Sequence, residues 1–371
     1  MQISSKPLQV LAGIAVVGGL LTLAWSLYDS EPAEEVFEIE NAEVEVVEEI
    51  LEPAYLETME RGQENSDYEV ITYDPEKAYN GTTMFADKIP ETPRIIELNM
   101  LGEIMWEYQN PEWGTGGSID DVEWIPESDT VIFMYHNKGH ILYEIDRAGN
   151  VLFEYKDSQA DHDIDKLENG NYLYVYGMGD TLDDPIVKEV SPDGEIVWEW
   201  YLKDHLDPAI YEGVEDEGVA HANAVIRLEN GHTLISPRNF NLIIEVDASG
   251  EVVDLICEDV CAYQHDPELL GNGNILMANQ ETQGHEYELG DEPQRALEID
   301  TETGETIWEN LIVKRTYYPL RDADRLPNGN TLITGSQGLF EVTPDGEIVW
   351  QLDSAFDITF AQSIYKAQRI F

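Results

Sequence analysis

The chain has 371 residues and carries 76 Asp and Glu against 20 Lys and Arg, a formal net charge of -56 at pH 7. Hydrophobic residues make up 42% and aromatic residues 10%, which is enough for a core and excludes a disordered polyanion. The charge also argues against a nucleic-acid partner, because no basic face is available to bind phosphates. Acids occur throughout the chain, so we expect adaptation to a very saline habitat. At about 1 M salt the Debye length is about 3 Å, and self-repulsion is screened.

Residues 8–28 form an apolar segment long enough to cross a bilayer, for which about 20 residues suffice. Lys6 precedes the segment, and an acid-rich stretch follows it from Asp29. This distribution predicts residues 1–7 in the cytoplasm and everything after Tyr28 outside. A cleaved signal peptide is the alternative, but the long apolar run and the lack of a small-x-small site favour an uncleaved, single-pass helical anchor in the cell membrane.

Residues 29–67 are acidic and carry Val44, Val47 and Ile50 at roughly helical spacing. This pattern predicts a partly helical stalk or linker between the membrane and the globular part. From residue 68 to residue 371 the pattern changes to short strands and turns, which predicts one globular domain.

A phrase of the form Gly-Glu-hydrophobic-hydrophobic-Trp, complete or degenerate, occurs six times along this domain. Its glycines are spaced 42 to 56 residues apart: Gly102, Gly149, Gly194, Gly250, Gly304 and Gly346. Most repeats also contain Leu-x-Asn-Gly, a hairpin signal because a type I′ turn needs positive φ at both central residues. Four short strands in each repeat of about 40–50 residues predict an all-β fold, a six-bladed β-propeller with four-stranded antiparallel blades.

The two ends of the repeat region complement each other. Residues 80–85 fit the second strand of a blade without a first strand, and residues 360–368 fit a first strand without a second. We therefore expect one closing blade to be shared by both termini, which removes the open edges of the ring.

The innermost strand of each blade starts five residues before the Leu of Leu-x-Asn-Gly, or before the residue in its place. Such strand starts face the central funnel of a propeller, and here all six are polar: Asp120, His162, Asn223, His265, Arg321 and Gln362.

Two further polar residues join this ring. His221 points to the same side as Asn223 because side chains alternate along a strand, and Arg238 follows the second strand of the same blade. Three histidines and two arginines thus gather in a strongly acidic chain, which predicts an anionic ligand.

Cys257 and Cys261 lie four residues apart and precede His265. In a chain expected to be exported, this spacing predicts a local disulfide that shapes the segment leading to His265. Two free buried thiols are the alternative.

Together these features resemble the PQQ-independent arylsulfate sulfotransferases, exported six-bladed propellers that move a sulfuryl group from one phenol to another. The resemblance depends on the six repeats, on the order and spacing of the funnel residues and on the cysteine pair. It implies that His265 is the nucleophile that carries a sulfohistidine intermediate, and that the cysteines form the disulfide beside the catalytic loop. The groups that it implies hold the sulfate oxygens and handle the phenol proton are His162, His221, Asn223 and Arg238.

The implied reaction is a ping-pong transfer from an aryl sulfate donor to a phenolic acceptor. A neutral imidazole is a competent nucleophile toward sulfur, and Arg238 and Asn223 can donate to the oxygens of the transferred group. We expect no cofactor and no metal. Substrate binding is assigned to Asn223 and to the other ring residues Asp120, Arg321 and Gln362.

The resemblance covers roughly residues 78–371 and leaves alternatives open. The anchor and the acidic stalk stand where it would lead us to expect a cleaved signal and a larger N-terminal domain. Arg321 and the neighbouring Tyr317-Tyr318 have no clear counterpart on the acceptor side of the pocket. The sequence also leaves the oligomeric state open.

Two other functions compete with sulfuryl transfer. One is a non-catalytic surface propeller that binds an anionic ligand, a glycan or a protein. The other is a hydrolase with zinc on His162, His221 and His265, which Arg238 and Arg321 disfavour because they would lie beside a cation. The remaining histidines fit surface or turn positions: His136, His140, His205, His232 and His285.

Overall fold

The computed structural model describes residues 13–17, 20–24, 62–65, 67–137, 139–177, 180–212, 218–280, 293–312, 319–355 and 364–371. The chain divides into two compact units, Met1–Thr58 and Met59–Phe371. In the first unit the described residues form an antiparallel hairpin of β1 (Gly13–Val17) and β2 (Leu20–Ala24).

This hairpin differs from the membrane-spanning helix that the sequence predicts over residues 8–28. A continuous apolar run has no periodicity that separates helix from strand, and Gly18-Gly19 between two apolar runs is also a hairpin signal. No helix among the described residues is long and apolar enough to cross a bilayer. The rest of the predicted anchor and residues 29–61 of the predicted stalk lie outside the described residues.

The second unit contains six antiparallel sheets, the blades of a β-propeller. The first strand of this unit is β3 (Tyr68–Tyr73). Blade 1 follows with β4 (Thr82–Asp87), β5 (Arg94–Asn99) and β6 (Ile104–Tyr108). Blade 2 contains β7 (Ser118–Ile125), β8 (Thr130–His136), β9 (His140–Asp146) and β10 (Val151–Lys156). Blade 3 contains β11 (Ala160–Lys166), β12 (Tyr172–Tyr176), β13 (Val187–Val190) and β14 (Ile196–Trp200).

The second half of the ring repeats this order. The helix α1 (Leu202–His205) and the 3₁₀ turn Pro208–Ile210 lead to blade 4, with β15 (Ala222–Arg227), β16 (Thr233–Pro237), the 3₁₀ turn Arg238–Phe240, β17 (Ile243–Val246) and β18 (Val252–Ile256). Blade 5 contains β19 (His265–Leu269), β20 (Ile275–Asn279), β21 (Gln294–Ile299) and β22 (Thr306–Ile312). Blade 6 contains β23 (Leu320–Arg325), β24 (Thr331–Gly335), β25 (Gly338–Val342) and β26 (Ile348–Ser354), and β27 (Ala367–Ile370) comes last.

One sheet is shared by both ends of the propeller, as the sequence predicts. The strand β27 is innermost in blade 1 and pairs with β4, with Ala367 opposite Phe85. Blade 6 has a fifth strand, because β3 pairs with the outer edge of β26. The repeats do not predict β3, since it precedes the first of them and only covers an edge.

Tryptophans of the outer strands connect neighbouring blades. Trp106 Nε1 donates to the Arg147 carbonyl oxygen at 2.9 Å, and Trp350 Nε1 donates to that of Met100 at 3.0 Å. Arg147 and Met100 both lie in the turn that precedes the outer strand of the next blade. Each indole therefore fixes a turn in addition to filling the space between two blades.

Aspartates near the starts of the inner strands tie adjacent blades together. Asp121 Oδ2 accepts a hydrogen bond from the Ile164 backbone N–H at 2.6 Å, and Asp322 Oδ2 accepts one from the Ala367 N–H at 3.2 Å. Asp163 makes the same contact with the inner strand of blade 4. The bond joins two inner strands directly, and it recurs between blades 2 and 3, blades 3 and 4, and blades 6 and 1.

This repeated bond sets the register of the closing strand. The residue two places before Ile164 is His162, and the residue two places before Ala367 is Tyr365. Tyr365 therefore occupies the funnel position that the sequence assigns to Gln362, which itself lies outside the described residues. Counting from Asn-Gly fails here because the partner of β27 comes from the other end of the propeller, so no hairpin follows β27.

Lys366 lies among carboxylates from three blades. Its Nζ is 3.0 Å from Asp121 Oδ1 and 2.9 Å from Asp266 Oδ1, and it also contacts Asp163. Lys366 also lines a cavity of about 830 Å³, which lies on the same side of the propeller as the Asn-Gly turns. Further carboxylates on its wall are those of Glu123, Asp165, Glu268 and Asp324.

Burial raises the pKa of carboxyl groups on this wall. The pKa of Asp165 is raised to about 6, by burial and by the charge of Asp163. The pKa of Glu268 is raised to about 7, by burial and by the charge of Asp266. The native state therefore holds protons that the unfolded chain has already lost above about pH 4. The stability that these two groups contribute is complete below that pH and is lost as the pH rises through 6 to 7.

We expect the free energy of unfolding to decrease between about pH 5 and about pH 8 at constant high salt, because both carboxyls ionise in that window. In the Asp165→Asn/Glu268→Gln double variant the decrease should be smaller. Denaturant unfolding followed by circular dichroism across the window measures both. Stability that rises with pH in the wild type, or an unchanged slope in the double variant, would contradict this account.

Candidate functional site

His265 is the first residue of β19 and is 1% exposed. Its Nδ1 lies 3.0 Å from the Tyr263 carbonyl oxygen, which assigns the proton to Nδ1. The lone pair of Nε2 then faces Arg321, whose Nη1 is 2.9 Å away. Burial, and after it the positive charges of Arg321 and Arg238, hold the pKa of His265 well below its usual range. The imidazole is therefore neutral at pH 7 and carries its nucleophilic lone pair on Nε2.

His162 and His221 form a pair between blades 3 and 4. Their Nε2 atoms are 3.3 Å apart, and Arg238 Nη2 lies 3.1 Å from His221 Nδ1. A guanidinium can only donate, so His221 Nδ1 accepts, its proton is on Nε2, and His162 Nε2 accepts in turn. The proton of His162 is then on Nδ1, which lies 3.1 Å from Asp161 Oδ1. A hydrogen bond thus joins His221 to His162, and Asp161 Oδ1 lies close to His162 Nδ1 without making a hydrogen bond to it.

Irregular backbone at the starts of inner strands directs these side chains. His162 has φ of 66° and His221 has φ of 43°, both in the left-handed region. The register of β11 shifts between Ala160 and Ile164, which marks a bulge at His162. Left-handed backbone is uncommon for residues other than glycine and clusters at functional sites. The bulge thus re-aims His162 away from the regular pleat.

Arg238 and Asn223 support the site from blade 4. Arg238 begins the 3₁₀ turn after β16 and is buried, with its guanidinium 4.9 Å from the centroid of the Tyr263 ring. Asn223 Nδ2 donates to the Gln264 carbonyl oxygen at 2.8 Å. Asn223 therefore holds the segment that ends at His265, in addition to any contact with a ligand.

Tyr365 faces the same funnel. Its ring meets the His162 ring edge-on, with centroids 5.8 Å apart, and the Arg321 guanidinium is 5.3 Å from the centroid of its ring. Burial raises the pKa of the Tyr365 hydroxyl well above its usual range. This phenol is therefore protonated at neutral pH.

Asp120 forms an ion pair with Lys88, whose Nζ is 2.7 Å from Asp120 Oδ1. Burial raises the pKa of Asp120, but the charges of Lys88 and His136 outweigh it and hold this pKa below its usual range. The sequence reasoning missed Lys88, since it follows a second strand and no repeat phrase marks it. Arg238 also follows the second strand of its blade, and this equivalence is the signal that could have found Lys88.

His136 and His140 belong to blade 2, where they pair across the β8–β9 turn. They are half-buried against β11 of blade 3, so the sequence interpretation as surface or turn residues misses these contacts between blades. Their rings stack with centroids 4.1 Å apart. Within the described residues, His136, His140 and Asp161 form a group whose possible metal-ligating atoms all lie within 4.8 Å of one another. The three come from two blades, so no local pattern reveals their contact.

A disulfide joins Cys257 and Cys261 in the segment between β18 and β19. The backbone N–H of Ala262 then donates to Asn279 Oδ1 at 2.7 Å. The disulfide and this bond anchor the loop that ends at His265 to blade 5. The sequence predicts that the cysteines shape this segment.

The funnel thus brings together most of the residues predicted for it. Direct contacts connect His265 to Arg321, Arg238 to His221, and His221 to His162. Guanidinium groups lie against His221 Nδ1 and His265 Nε2, which leaves these nitrogens poorly placed to share a zinc ion. Buried cationic donors beside a neutral imidazole nucleophile can bind an oxyanion and attack its central atom.

The chain is similar in sequence to one protein family and in fold to several solved structures. The family model of the arylsulfotransferases (ASST) matches residues 68–260, more than half of the chain, and ends just before His265. No curated protein matches the chain. Among solved structures, a protein of unknown function from Bacteroides caccae is 18% identical, with a TM-score of 0.54 over 78% of this chain and 98% of that chain.

A catalytically inactive virginiamycin B lyase from Staphylococcus aureus with quinupristin is 14% identical, with a TM-score of 0.48 over 76% of this chain and 86% of that chain. The similarity to the Bacteroides caccae protein, at 18% identity, bears on the fold alone. The family match covers the blades that carry His162, His221 and Arg238. The chain belongs to the arylsulfotransferase family.

Proposed function

We propose that the protein transfers a sulfuryl group from an aryl sulfate ester to a phenolic acceptor in two displacements at His265 Nε2. The observation that carries the proposal is a buried, neutral imidazole whose Nδ1 bonds the Tyr263 carbonyl and whose Nε2 faces Arg321. Membership of the arylsulfotransferase family supports aryl sulfates and phenols as the substrate classes.

Arg321 has two tasks in this scheme. Its Nη1 donates to His265 Nε2 at 2.9 Å, so it must turn to the sulfate oxygens before the imidazole can attack. A guanidinium presents several donors in one plane, which suits the oxygens of a sulfate. When Arg321 gives up its hydrogen bond to the imidazole and binds sulfate instead, it exposes the lone pair of His265 Nε2. Substrate binding and exposure of the nucleophile are therefore coupled.

The first displacement forms the bond from Nε2 to sulfur and breaks the bond from sulfur to the aryl oxygen. The charge on the sulfuryl oxygens is stabilised by fixed donors, with Arg238 on the side of His221. In the second displacement the acceptor oxygen bonds to sulfur and the bond to Nε2 breaks. His265 returns to its neutral form with the proton still on Nδ1.

The pair of His162 and His221 moves the phenol proton. The pair takes up one proton, and Asp161 Oδ1, 3.1 Å from His162 Nδ1, balances the added charge. The leaving phenolate receives this proton, and the acceptor phenol returns one in the second displacement. Protons and charges therefore balance over one cycle.

We further propose that the propeller lies outside the cell membrane. The apolar run of residues 8–28, which suits an export segment, and the Cys257–Cys261 disulfide, a bond typical of exported proteins, support this. Protease added to intact cells should then digest the propeller. Complete protection until the cells are lysed would contradict the proposed location.

The variant His265→Asn tests the nucleophile. Exposed to a nitrophenyl sulfate in high salt, the wild-type chain should gain one SO₃ in intact mass and lose it when phenol is added. The variant should gain none and show no transfer above background, because it lacks the attacking nitrogen. Wild-type turnover by folded His265→Asn would disprove the assignment.

The matched control for this experiment is His205→Asn. His205 stacks on Trp200 at the outer edge of blade 3 and takes no part in the scheme. It should leave the gain in mass unchanged. A folded wild type that neither gains SO₃ nor releases nitrophenol would favour the propeller that only binds an anionic ligand.

The variant His221→Gln tests the proton path. We expect a loss of about 10²–10⁴-fold in transfer from an aryl sulfate with a poor leaving group, because its phenolate needs the proton. The loss should be much smaller for a nitrophenyl sulfate, whose phenolate leaves without one. Single-turnover rates of sulfohistidine formation separate the two cases. Equal losses for both donors would assign His221 to sulfate binding alone.

A further inference from the structure

His136, His140 and Asp161 meet on the shoulder of the funnel. His136 ends β8 and His140 begins β9, so the two residues face each other across one hairpin. Asp161 comes from β11 of the next blade. Two imidazoles and a carboxylate therefore converge from separate blades, at a place where the sulfuryl-transfer scheme uses only Asp161.

The distances in this group are too long for hydrogen bonds. His136 Nδ1 is 3.8 Å from Asp161 Oδ1 and 3.5 Å from Asp120 Oδ2. Zinc binds nitrogen and oxygen at about 2.0–2.1 Å, and tetrahedral geometry then places neighbouring ligand atoms about 3.3 Å apart. The possible ligand atoms of His136, His140 and Asp161 all lie within 4.8 Å of one another, so a bound ion would have to draw the three side chains together.

Two buried atoms of the group lack a partner among the described residues. Asp161 is 3% exposed, and its Oδ2 accepts no hydrogen bond there. His136 Nε2 is equally buried and unpaired. Buried polar atoms are nearly always satisfied in native proteins, so a carboxylate oxygen in this state points to a ligand that supplies positive charge.

The protonation state of His136 agrees with a role as a ligand. Burial lowers its pKa below the usual range, and although Asp120 and Asp161 oppose this, His140 and His162 add to it. The ring is therefore neutral near pH 7, as metal ligation requires. An imidazolium that pairs with Asp120 Oδ2 and Asp161 Oδ1 is the competing explanation, and it predicts no stoichiometric binding of zinc.

We propose that His136, His140 and Asp161 form a binding site for a divalent transition metal ion. Two imidazoles with carboxylates select zinc and its first-row neighbours over calcium or magnesium, which prefer sites made of oxygen alone. This site is separate from His265 and does not depend on the proposed sulfuryl transfer.

Bound metal would act on the catalytic funnel through Asp161. The same carboxylate contacts His162 Nδ1 at 3.1 Å and accepts from the His162 backbone N–H at 2.9 Å. A metal ion on Asp161 would hold the start of β11 and the left-handed backbone at His162. The site is thus placed to fix the orientation of His162.

The test is zinc binding by the full chain after treatment with a chelator. Zinc is titrated in high salt with excess Mg²⁺, which occupies the many surface carboxylates, against a chromophoric competitor. We expect one zinc ion per chain. His140→Gln should weaken binding at least about tenfold, since even loss of an outer-shell partner of a metal ligand has an effect of that size.

Matched variants make the result decisive. His205→Gln and His221→Gln should bind zinc like the wild type, because neither residue belongs to the group. Asp161→Asn, which keeps the shape of the side chain, should weaken binding as His140→Gln does, with circular dichroism confirming the fold of each. Cobalt in place of zinc should give a visible absorption spectrum that His140→Gln changes.

Two results would overturn the proposal. One is the absence of a stoichiometric site in the wild type. The other is binding that survives in His140→Gln and Asp161→Asn but is lost in His221→Gln, which would place the metal on the funnel histidines.

Discussion

The hydrogen bond from an inner-strand backbone to an aspartate of the preceding blade is the constraint on which the site depends. Asp121 and Asp163 each use Oδ2 for this bond and turn Oδ1 to the ammonium of Lys366. Each of these carboxylates thus sets the register between two blades with one oxygen and holds the ammonium of Lys366 on the propeller axis with the other. Asp120, His162 and Arg321 each precede such an aspartate by one residue, so the register also fixes these funnel residues.

The alternation of charge along the inner strands separates two environments. Above Lys366 lie His265, Arg321 and Arg238, where burial and guanidinium charge keep the nucleophilic imidazole neutral. Below it lies a wall of carboxyls that burial keeps partly protonated. A strongly acidic chain can therefore present cations to an anionic ligand, because the axis collects its negative charge on the opposite side of one lysine.

Repetition made most of this architecture predictable. Each Asn-Gly turn marks the end of an inner strand, and counting back from it leads to His162, His265 and Arg321, which lie near the starts of β11, β19 and β23. The method failed where repetition ends: Tyr365 rather than Gln362 takes the funnel position, because the closing strand has no hairpin of its own. Contacts between blades, such as that of His136 with Asp161, leave no local pattern, since they depend on packing between distant segments. An apolar run without a period gave the wrong secondary structure for the described part of residues 8–28.

The pairing of β27 with β4 also has a consequence for the order of folding. Arg369 of β27 contacts the Tyr79 carbonyl across a separation of 290 residues, so this sheet cannot form until nearly the whole propeller has been synthesised. Closing so long a loop is entropically costly and slow. Lys366 precedes β27 by one residue and arrives with it. Until then the axial carboxylates have no central ammonium to share, so their mutual repulsion opposes closure of the ring until Lys366 is in place.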